Sequence, residues 1–411
     1  VRNLFALLVY VVAATAVYGA EPQVVSTHCR ETEVALDATH SVARLGDCGD
    51  ASATNLLWHL DRIDQLDGNL DGAYHRRHAG AGSVVYVMDT GVLASHSEFA
   101  GPAGTRVLAG YDVAGSLPTG NSGCRSANKA TDPCYLNFAE LPGASHGTSV
   151  ASLVAGANVG VAPEASIVSV RVMNEAALAT TRTYLAGLEA IIRNAWDPAT
   201  PPFHTAVINI SGWVLERLAS TPDPAPVPFA AVEQKIRDMV EGVDANGARD
   251  AVNGKRFLFV VAGNNVDNGC GRSGVVDRFP ATLGKSLDGL ITVGGMTAEN
   301  NWWPGACRGG LEILAPSQGI FSATITANDQ YRGSRLRSGT SFAAPIIAGI
   351  AARLLSENPG LTPAELESMI TATPSRIALP AAVYADGKVG FVRDAPAVMT
   401  AGVPARLTLA P

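Results

Sequence analysis

Five continuous apolar runs, at residues 84–88, 166–172, 205–210, 257–262 and 289–293, most constrain what this chain can fold into. Runs of that length without polar alternation suit strands that are buried on both faces. Helical patterns separate and follow them, at 146–156, 183–196, 229–242, 341–355 and 363–371. Strands alternating with helices in this way predict an α/β fold of three layers. A mostly parallel central sheet would be covered by helices on both faces. Thr362-Pro-Ala-Glu is a helix start, with threonine as the cap, proline at the first position and acid in the first turn. The segment Ser220-Thr-Pro-Asp-Pro-Ala-Pro-Val-Pro is too proline-rich for helix or sheet and predicts a stiff surface loop.

The chain's 411 residues allow one large α/β domain with small additions. A formal charge of −7 gives no electrostatic footprint for nucleic acid. Residues 1–20 pair Arg2 with an apolar run and end in small residues, the pattern of a secretory signal. No later stretch is long and apolar enough to span a membrane. A secreted or periplasmic protein is expected, with no membrane span after signal removal. Six cysteines in an exported chain predict disulfides. Six allow fifteen connectivities, and proximity suggests Cys29–Cys48, Cys124–Cys134 and Cys270–Cys307. None lies where a thiol nucleophile would be expected.

Four short segments carry chemistry. In Ser-Val-Val-Tyr-Val-Met-Asp-Thr-Gly, the apolar run ends at Asp89, placing a carboxylate at the carboxyl end of a strand. Ligands of open α/β sheets bind there. In His146-Gly-Thr-Ser-Val-Ala-Ser, a histidine enters a buried helix, and Gly147 leaves room for another backbone or a substrate beside the ring. In Ser-Gly-Thr-Ser-Phe-Ala-Ala-Pro, Ser341 opens an apolar helix, where free N–H groups face an anion. Pro345 is expected in the first turn, where its missing N–H costs little. In Phe-Leu-Phe-Val-Val-Ala-Gly-Asn, a strand ends at Ala262-Gly263 and Asn264 follows, an amide able to donate to a developing oxyanion. A serine nucleophile needs a base, and the base needs a carboxylate to fix its tautomer. Asp89, His146 and Ser341 supply the three. His75 and His78, in a polar stretch, are expected to be solvated.

The four segments, taken together and in this order, resemble the subtilisin-like serine proteases of the subtilase family, nearest the proteinase K-like branch. Trp58-His-Leu-Asp-Arg-Ile and Val161-Ala-Pro-Glu-Ala-Ser-Ile-Val-Ser-Val-Arg-Val match that branch as well. The resemblance implies a serine-type endopeptidase that forms an acyl-enzyme on Ser341. His146 would be general base and acid, and Asp89 would orient it. Asn264 and the Ser341 N–H would form the oxyanion hole. It also implies extended peptide or protein substrates, a monomer, and no cofactor for the chemistry. Structural calcium is common in the family, but no complete set of oxygen ligands is identifiable here, so no metal residues are assigned. The expected organisation is a signal at 1–20, a short Cys-containing extension or reduced pro-segment at 21–54, a catalytic domain at 55–375 and a C-terminal extension at 376–411.

Three features depart from the family pattern. Residues 21–54 are short for an inhibitory propeptide. The family's Ser-Leu-Gly-Gly at the substrate strand is here Ser211-Gly212-Trp213. Ser211, Gly212, Trp213, Ala262 and Gly263 are the expected substrate-binding residues, and Trp213 either walls the cleft or turns away from it. Ser149 stands where many relatives carry a second histidine. Two other classes compete. A catalytically silent relative that binds peptides or acts as a scaffold would not need all four chemical positions. An α/β-hydrolase esterase would need Gly-x-Ser-x-Gly and the order Ser…Asp…His, which this chain lacks.

Overall fold

A computed structural model describes residues 57–64, 70–102, 104–114, 145–174, 177–216, 226–271, 274, 276–324 and 333–371. It also gives the backbone of short strands at 34–35, 40–44 and 390–391. The signal-like segment and Cys29, Cys48, Cys124 and Cys134 lie outside the described residues, as does most of the proline-rich loop.

The central sheet has eight strands, numbered here in chain order. They are β1 (Val84–Asp89), β2 (Val107–Asp112), β3 (Ser166–Arg171), β4 (Thr205–Ile210), β5 (Arg256–Ala262), β6 (Leu290–Met296), β7 (Ile313–Pro316) and β8 (Gly390–Phe391). Their spatial order is β8-β7-β6-β5-β4-β1-β3-β2, and every neighbouring pair is parallel. All five apolar runs form strands of this sheet. The sequence reading missed β2, β7 and the two-residue β8. In β2 the ladder to β3 shifts register between Leu108 and Tyr111, where Ala109-Gly110 breaks the apolar run. β7 is only four residues long and ends in proline.

Because strand side chains alternate, the central strands feed two separate cores. Val85, Val87, Val207, Leu258 and Val260 point to one. Tyr86, Met88, Ile208, Phe257 and Phe259 point to the other. The helices are α1 (Trp58–Ile63), α2 (His146–Ala155), α3 (Thr181–Ala195), α4 (Phe229–Glu241), α5 (Thr340–Glu357) and α6 (Pro363–Thr371). Residues of α2, α5 and α6 fill the first core, and residues of α3 and α4 fill the second. This is the three-layer α/β fold with a parallel sheet. Nearly every residue of α2 and α5 is buried, so their glycine- and alanine-rich sequences let them pack closely. By contrast, α3 buries one stripe and starts in a capping box between Thr180 and Thr183. Thr362 caps α6 as expected, accepting from the Glu365 N–H while the Glu365 carboxylate accepts from the Thr362 N–H at 2.8 Å.

A separate antiparallel sheet pairs Val34–Ala35 with His40–Arg44, and His40–Arg44 with Ala73–Arg77. His75 lies on its last strand, half-buried rather than fully solvated, with its N–H donating to Asp64. In the central sheet the chain runs outward from β1 to β2 and β3, then crosses to β4 on the other side. The strand order therefore reverses between β1 and β4, and ligands of open α/β sheets bind at the carboxyl side of such a reversal.

Candidate active site

β1 delivers Asp89 to that reversal point. The side chain is fully buried, and its cost is offset by partners. The Thr90 N–H donates to Oδ1 at 2.7 Å and the Thr90 hydroxyl at 3.1 Å. His146 Nδ1 lies 2.8 Å from Oδ1 and 3.0 Å from Oδ2. An acceptor carboxylate on Nδ1 puts the proton there and leaves Nε2 as the basic atom. Below the carboxylate, burial first and the Asp89 charge second push the Tyr184 phenol well up, so it stays neutral.

His146 is the first residue of α2, and its placement depends on close backbone contact. A Cβ on Gly147 would stand 2.1 Å from the Gly91 carbonyl oxygen and 3.1 Å from Asp89 Oδ1. Gly147 therefore makes room for another backbone, the loop that leaves β1. The Thr90 hydroxyl ties the two together by accepting from the Gly147 N–H at 3.0 Å. Ser145, just before the helix, is left-handed at φ 38°. Its hydroxyl is held by Thr324 and Arg337. Ser149 is buried, with its hydroxyl between the carbonyls of Ser145 and Ala323. It supports the helix start and does not face the ring.

Ser341 is the second residue of α5, after a turn at Gly339. Its N–H belongs to the first turn, where helix N–H groups lack intrahelical acceptors. Asn265 Oδ1 accepts from the Thr340 N–H at 2.9 Å and from the Thr340 hydroxyl at 3.0 Å. The Gly339 N–H donates to the Ser317 carbonyl. The next residue, Phe342, stacks its ring 5.6 Å from the His146 ring, which brings α2 and α5 together at this point.

Pro345 corrects the sequence reading. It is the sixth residue of α5, beyond the first turn. Its missing N–H leaves the Ser341 carbonyl, four residues back, without a helical donor. The Ser211 hydroxyl fills that gap, donating to the Ser341 carbonyl at 2.8 Å. In return the Ser341 hydroxyl donates to the Ser211 carbonyl at 3.1 Å. Asn209 Nδ2, fully buried, donates to Ser211 Oγ at 3.0 Å. Asn265 and the Ser211–Ser341 exchange escaped sequence reasoning. The one local signal was a proline too deep in a helix.

β5 delivers Ala262, Gly263 and Asn264. Gly263 allows close packing, since a Cβ there would lie 2.4 Å from a Leu311 methyl. Asn264 is left-handed at φ 71°, a region that asparagine tolerates better than most residues. Its Nδ2 donates to the Gly269 carbonyl at 2.9 Å, which uses one of two amide N–H bonds and leaves one to donate. The Cys270–Cys307 disulfide closes this segment, and the Cys307 N–H donates to the Asn264 carbonyl at 3.1 Å. A pocket opens beside Ser341 and Asn264, with Gly212, Trp213 and Arg278 in its walls. Trp213 lines this pocket, with its ring centre 6.0 Å from the Arg278 guanidinium. Among the described residues, no group of three His, Cys, Asp or Glu side chains is arranged to hold a metal ion.

Fold and site together define a three-layer α/β protein with a hydrogen-bonded Asp89–His146 pair at the carboxyl edge of its sheet and Ser341, whose hydroxyl donates to the Ser211 carbonyl, at a helix start nearby. The chain belongs to the subtilase family, whose model matches residues 80–391. It is 29% identical over 332 residues to an alkaline serine exoprotease A of Vibrio alginolyticus, covering 79% of this chain and 48% of that protein. It is 31% identical to an extracellular serine proteinase of Thermus sp. strain Rt41A, covering 77% and 62%. A cuticle-degrading serine protease of Arthrobotrys oligospora is 28% identical, with 79% and 64% covered. The chain thus spans between about half and just under two thirds of these relatives' lengths. The crystal structure of a cold-adapted subtilisin-like serine proteinase superposes with a TM-score of 0.57 at 26% identity, covering 83% of this chain and 99% of that one.

Proposed function

We propose that this protein is an exported serine endopeptidase acting through an acyl-enzyme on Ser341. The single observation that carries the reading is the two-oxygen contact of buried Asp89 with His146 Nδ1, at 2.8 and 3.0 Å. That contact prepares Nε2 to take a proton. In the first step Ser341 Oγ attacks the scissile carbonyl while its proton passes to His146 Nε2. Negative charge moves onto the carbonyl oxygen, and the free amide N–H of Asn264 and the Ser341 N–H stabilise it. Asp89 stabilises the imidazolium and stays ionised. The imidazolium then gives its proton to the leaving amine, and the C–N bond breaks. Water repeats the sequence on the ester and frees Ser341.

An extended peptide would lie along Ser211-Gly212-Trp213, which continues β4 past the sheet edge. Gly212 carries no Cβ, and one would stand 2.3 Å from the Met173 methyl. Export is supported by the signal-like residues 1–20 and by a relative named as extracellular.

The test uses a serine-directed phosphonylating reagent on the purified chain, with the label located by peptide mass. Labelling of Ser341, and loss of both labelling and casein cleavage in Ser341→Ala, is the expected result. Labelling at another serine, or unchanged cleavage by the variant, would overturn the reading.

A further inference from the structure

We infer that the pocket beside Ser341 selects an acidic side chain, glutamate or aspartate, on the residue whose carbonyl is attacked. The inference rests on the proposed function above and names its substrate class. The pocket is small, with about 20 Å³ of cavity volume, and it opens to solvent. Ser341 and Asn264 stand at one side of it, and Trp213, Asn268, Arg278 and Ala281 form other walls. A side chain on the attacked residue therefore enters a space with a permanent cation in its wall.

The state of Arg278 decides what suits that space. A guanidinium carries five N–H donors. Among the described residues, Arg278 uses one of them, Nη2 donating to the Asn268 carbonyl at 3.0 Å. Nε is shielded from solvent and has no hydrogen-bond partner. Asp277 Oδ1 lies 3.7 Å from Nε in a loose ion pair, with the Arg278 side chain 36% exposed and that of Asp277 46% exposed. It is too far for a hydrogen bond and is screened by water. It also does not line the pocket.

The guanidinium lies 6.0 Å from the Trp213 ring centre, which limits hydration on that side. The two walls are tied together by the backbone, since the Val214 N–H donates to the Phe279 carbonyl at 3.1 Å. An apolar side chain entering here would strip water from the cation and return nothing. A carboxylate would return charge-assisted hydrogen bonds in the fork geometry that arginine matches. Trp213, the family departure that sequence alone left open, then serves as the apolar wall against the methylene stem.

Fluorogenic peptides differing only at the residue before the cut (Glu, Gln, Asp, Phe, Ala, Lys) test this directly. Glu and Gln have the same shape, so their ratio of kcat/KM reads the charge. We expect Glu over Gln by roughly 10- to 100-fold, the worth of a hydrogen bond to a charged group. Arg278→Gln should bring the ratio to near one, and Arg278→Glu should turn preference toward Lys. Arg278→Lys, which keeps the charge, should retain part of the ratio and so controls for misfolding. A Glu/Gln ratio near one in the unaltered protein, or a ratio that survives Arg278→Gln, overturns the inference. If Ser341 is labelled by the phosphonate while the ratio is flat, only this inference fails. If Ser341 is neither labelled nor needed for cleavage, the proposed function fails and this inference with it.

Discussion

Ser211→Ala should destabilise the protein through the carbonyl of Ser341, and Pro345→Ala should partly repair it. The Ser211 hydroxyl serves two buried groups. It donates to the Ser341 carbonyl at 2.8 Å and accepts from Asn209 Nδ2 at 3.0 Å. Removing it strands both, and each unsatisfied buried group costs about 1–3 kcal/mol. The Ser341 carbonyl is only partly buried and takes the low end, so the expected loss is about 2–4 kcal/mol. Alanine at 345 restores an N–H four residues after Ser341, in line for the ordinary helical bond. In the Ser211→Ala background that bond returns about 1 kcal/mol.

In the unaltered protein the same carbonyl is already satisfied, so Pro345→Ala should show little or no gain. It should instead lose about 0.4–1 kcal/mol through greater freedom of the unfolded chain. The double-mutant cycle should therefore give a coupling of about 1 kcal/mol. Urea unfolding in a Ser341→Ala background avoids self-digestion and leaves the backbone carbonyl in place. Additivity within about 0.5 kcal/mol, the limit for independent sites, would refute the argument that the proline and the serine are two halves of one hydrogen bond.

Asn264→Gly keeps the left-handed backbone without strain and removes only the amide. It should lower kcat by about 100- to 1,000-fold with KM little changed, the range known for the corresponding amide of subtilisin; a loss under tenfold in steady-state peptide cleavage would remove Asn264 from the oxyanion hole. Replacing Cys270 and Cys307 by serine opens a crosslink spanning 37 residues. By loop entropy this should cost about 4 kcal/mol in urea unfolding, and an unchanged midpoint would contradict it. Stability should also respond to pH through groups of opposite sign: half-buried Glu312 and buried His59, with Asp64 and Glu367 also pushed up by burial. Burial, with Glu367 nearby, raises Glu312 to about 8, so the folded state holds a proton that the unfolded chain releases near 4.5. Its contribution is complete below about 4.5 and is lost as pH rises to about 8. Burial lowers His59 to about 4 despite its bond to the Val159 carbonyl, so its contribution is present above 6.5 and lost as pH falls to about 4. The two offset between about 4.5 and 6.5, and stability should fall between 6.5 and 8 by up to about 1.4 kcal/mol per pH unit. Urea midpoints across that range in Glu312→Gln should show a shallower fall, since Asp64 and Glu367 are raised in the same direction; an unchanged slope would exclude Glu312 as a source.

What was legible in the sequence follows from how each feature is encoded. Asp89, His146, Asn264 and Ser341 each sit where an apolar strand or helix begins or ends, so a contiguous run of residues announces them. The two cores were legible for the same reason, because uninterrupted valine and isoleucine runs can only be strands covered twice. β2 escaped because a register shift breaks its pattern. Asn265, Arg278 and the hydrogen bond from Ser211 to Ser341 escaped because their meaning comes from partners far along the chain, although Ser211 itself was expected at the substrate strand. Asn265 acts on Thr340 across 75 residues, and Ser211 acts on Ser341 across 130. Trp213 was visible as a departure, but its neighbour in the pocket wall, Arg278, lies 65 residues away in the sequence.

This division of labour has a consequence for how the protein can change. The chemical groups are locked to one another through the backbone. Gly147 sits against the Gly91 carbonyl, Asn265 holds the Thr340 N–H, and the Ser211 and Ser341 segments exchange hydrogen bonds. Moving any one of these displaces strand ends and helix starts that also carry the two cores. Arg278 joins that lock at one point, donating to the Asn268 carbonyl, and Trp213 packs against Arg278. Their side chains meet each other and the pocket, and the bond that ties their loops, Val214 to Phe279, involves backbone alone. Substitution at 213 or 278 can therefore alter which side chain is accepted without disturbing how Asp89 meets His146. On this reasoning the chemistry is held by the family's fold, and the proposed choice of substrate is set at Trp213 and Arg278.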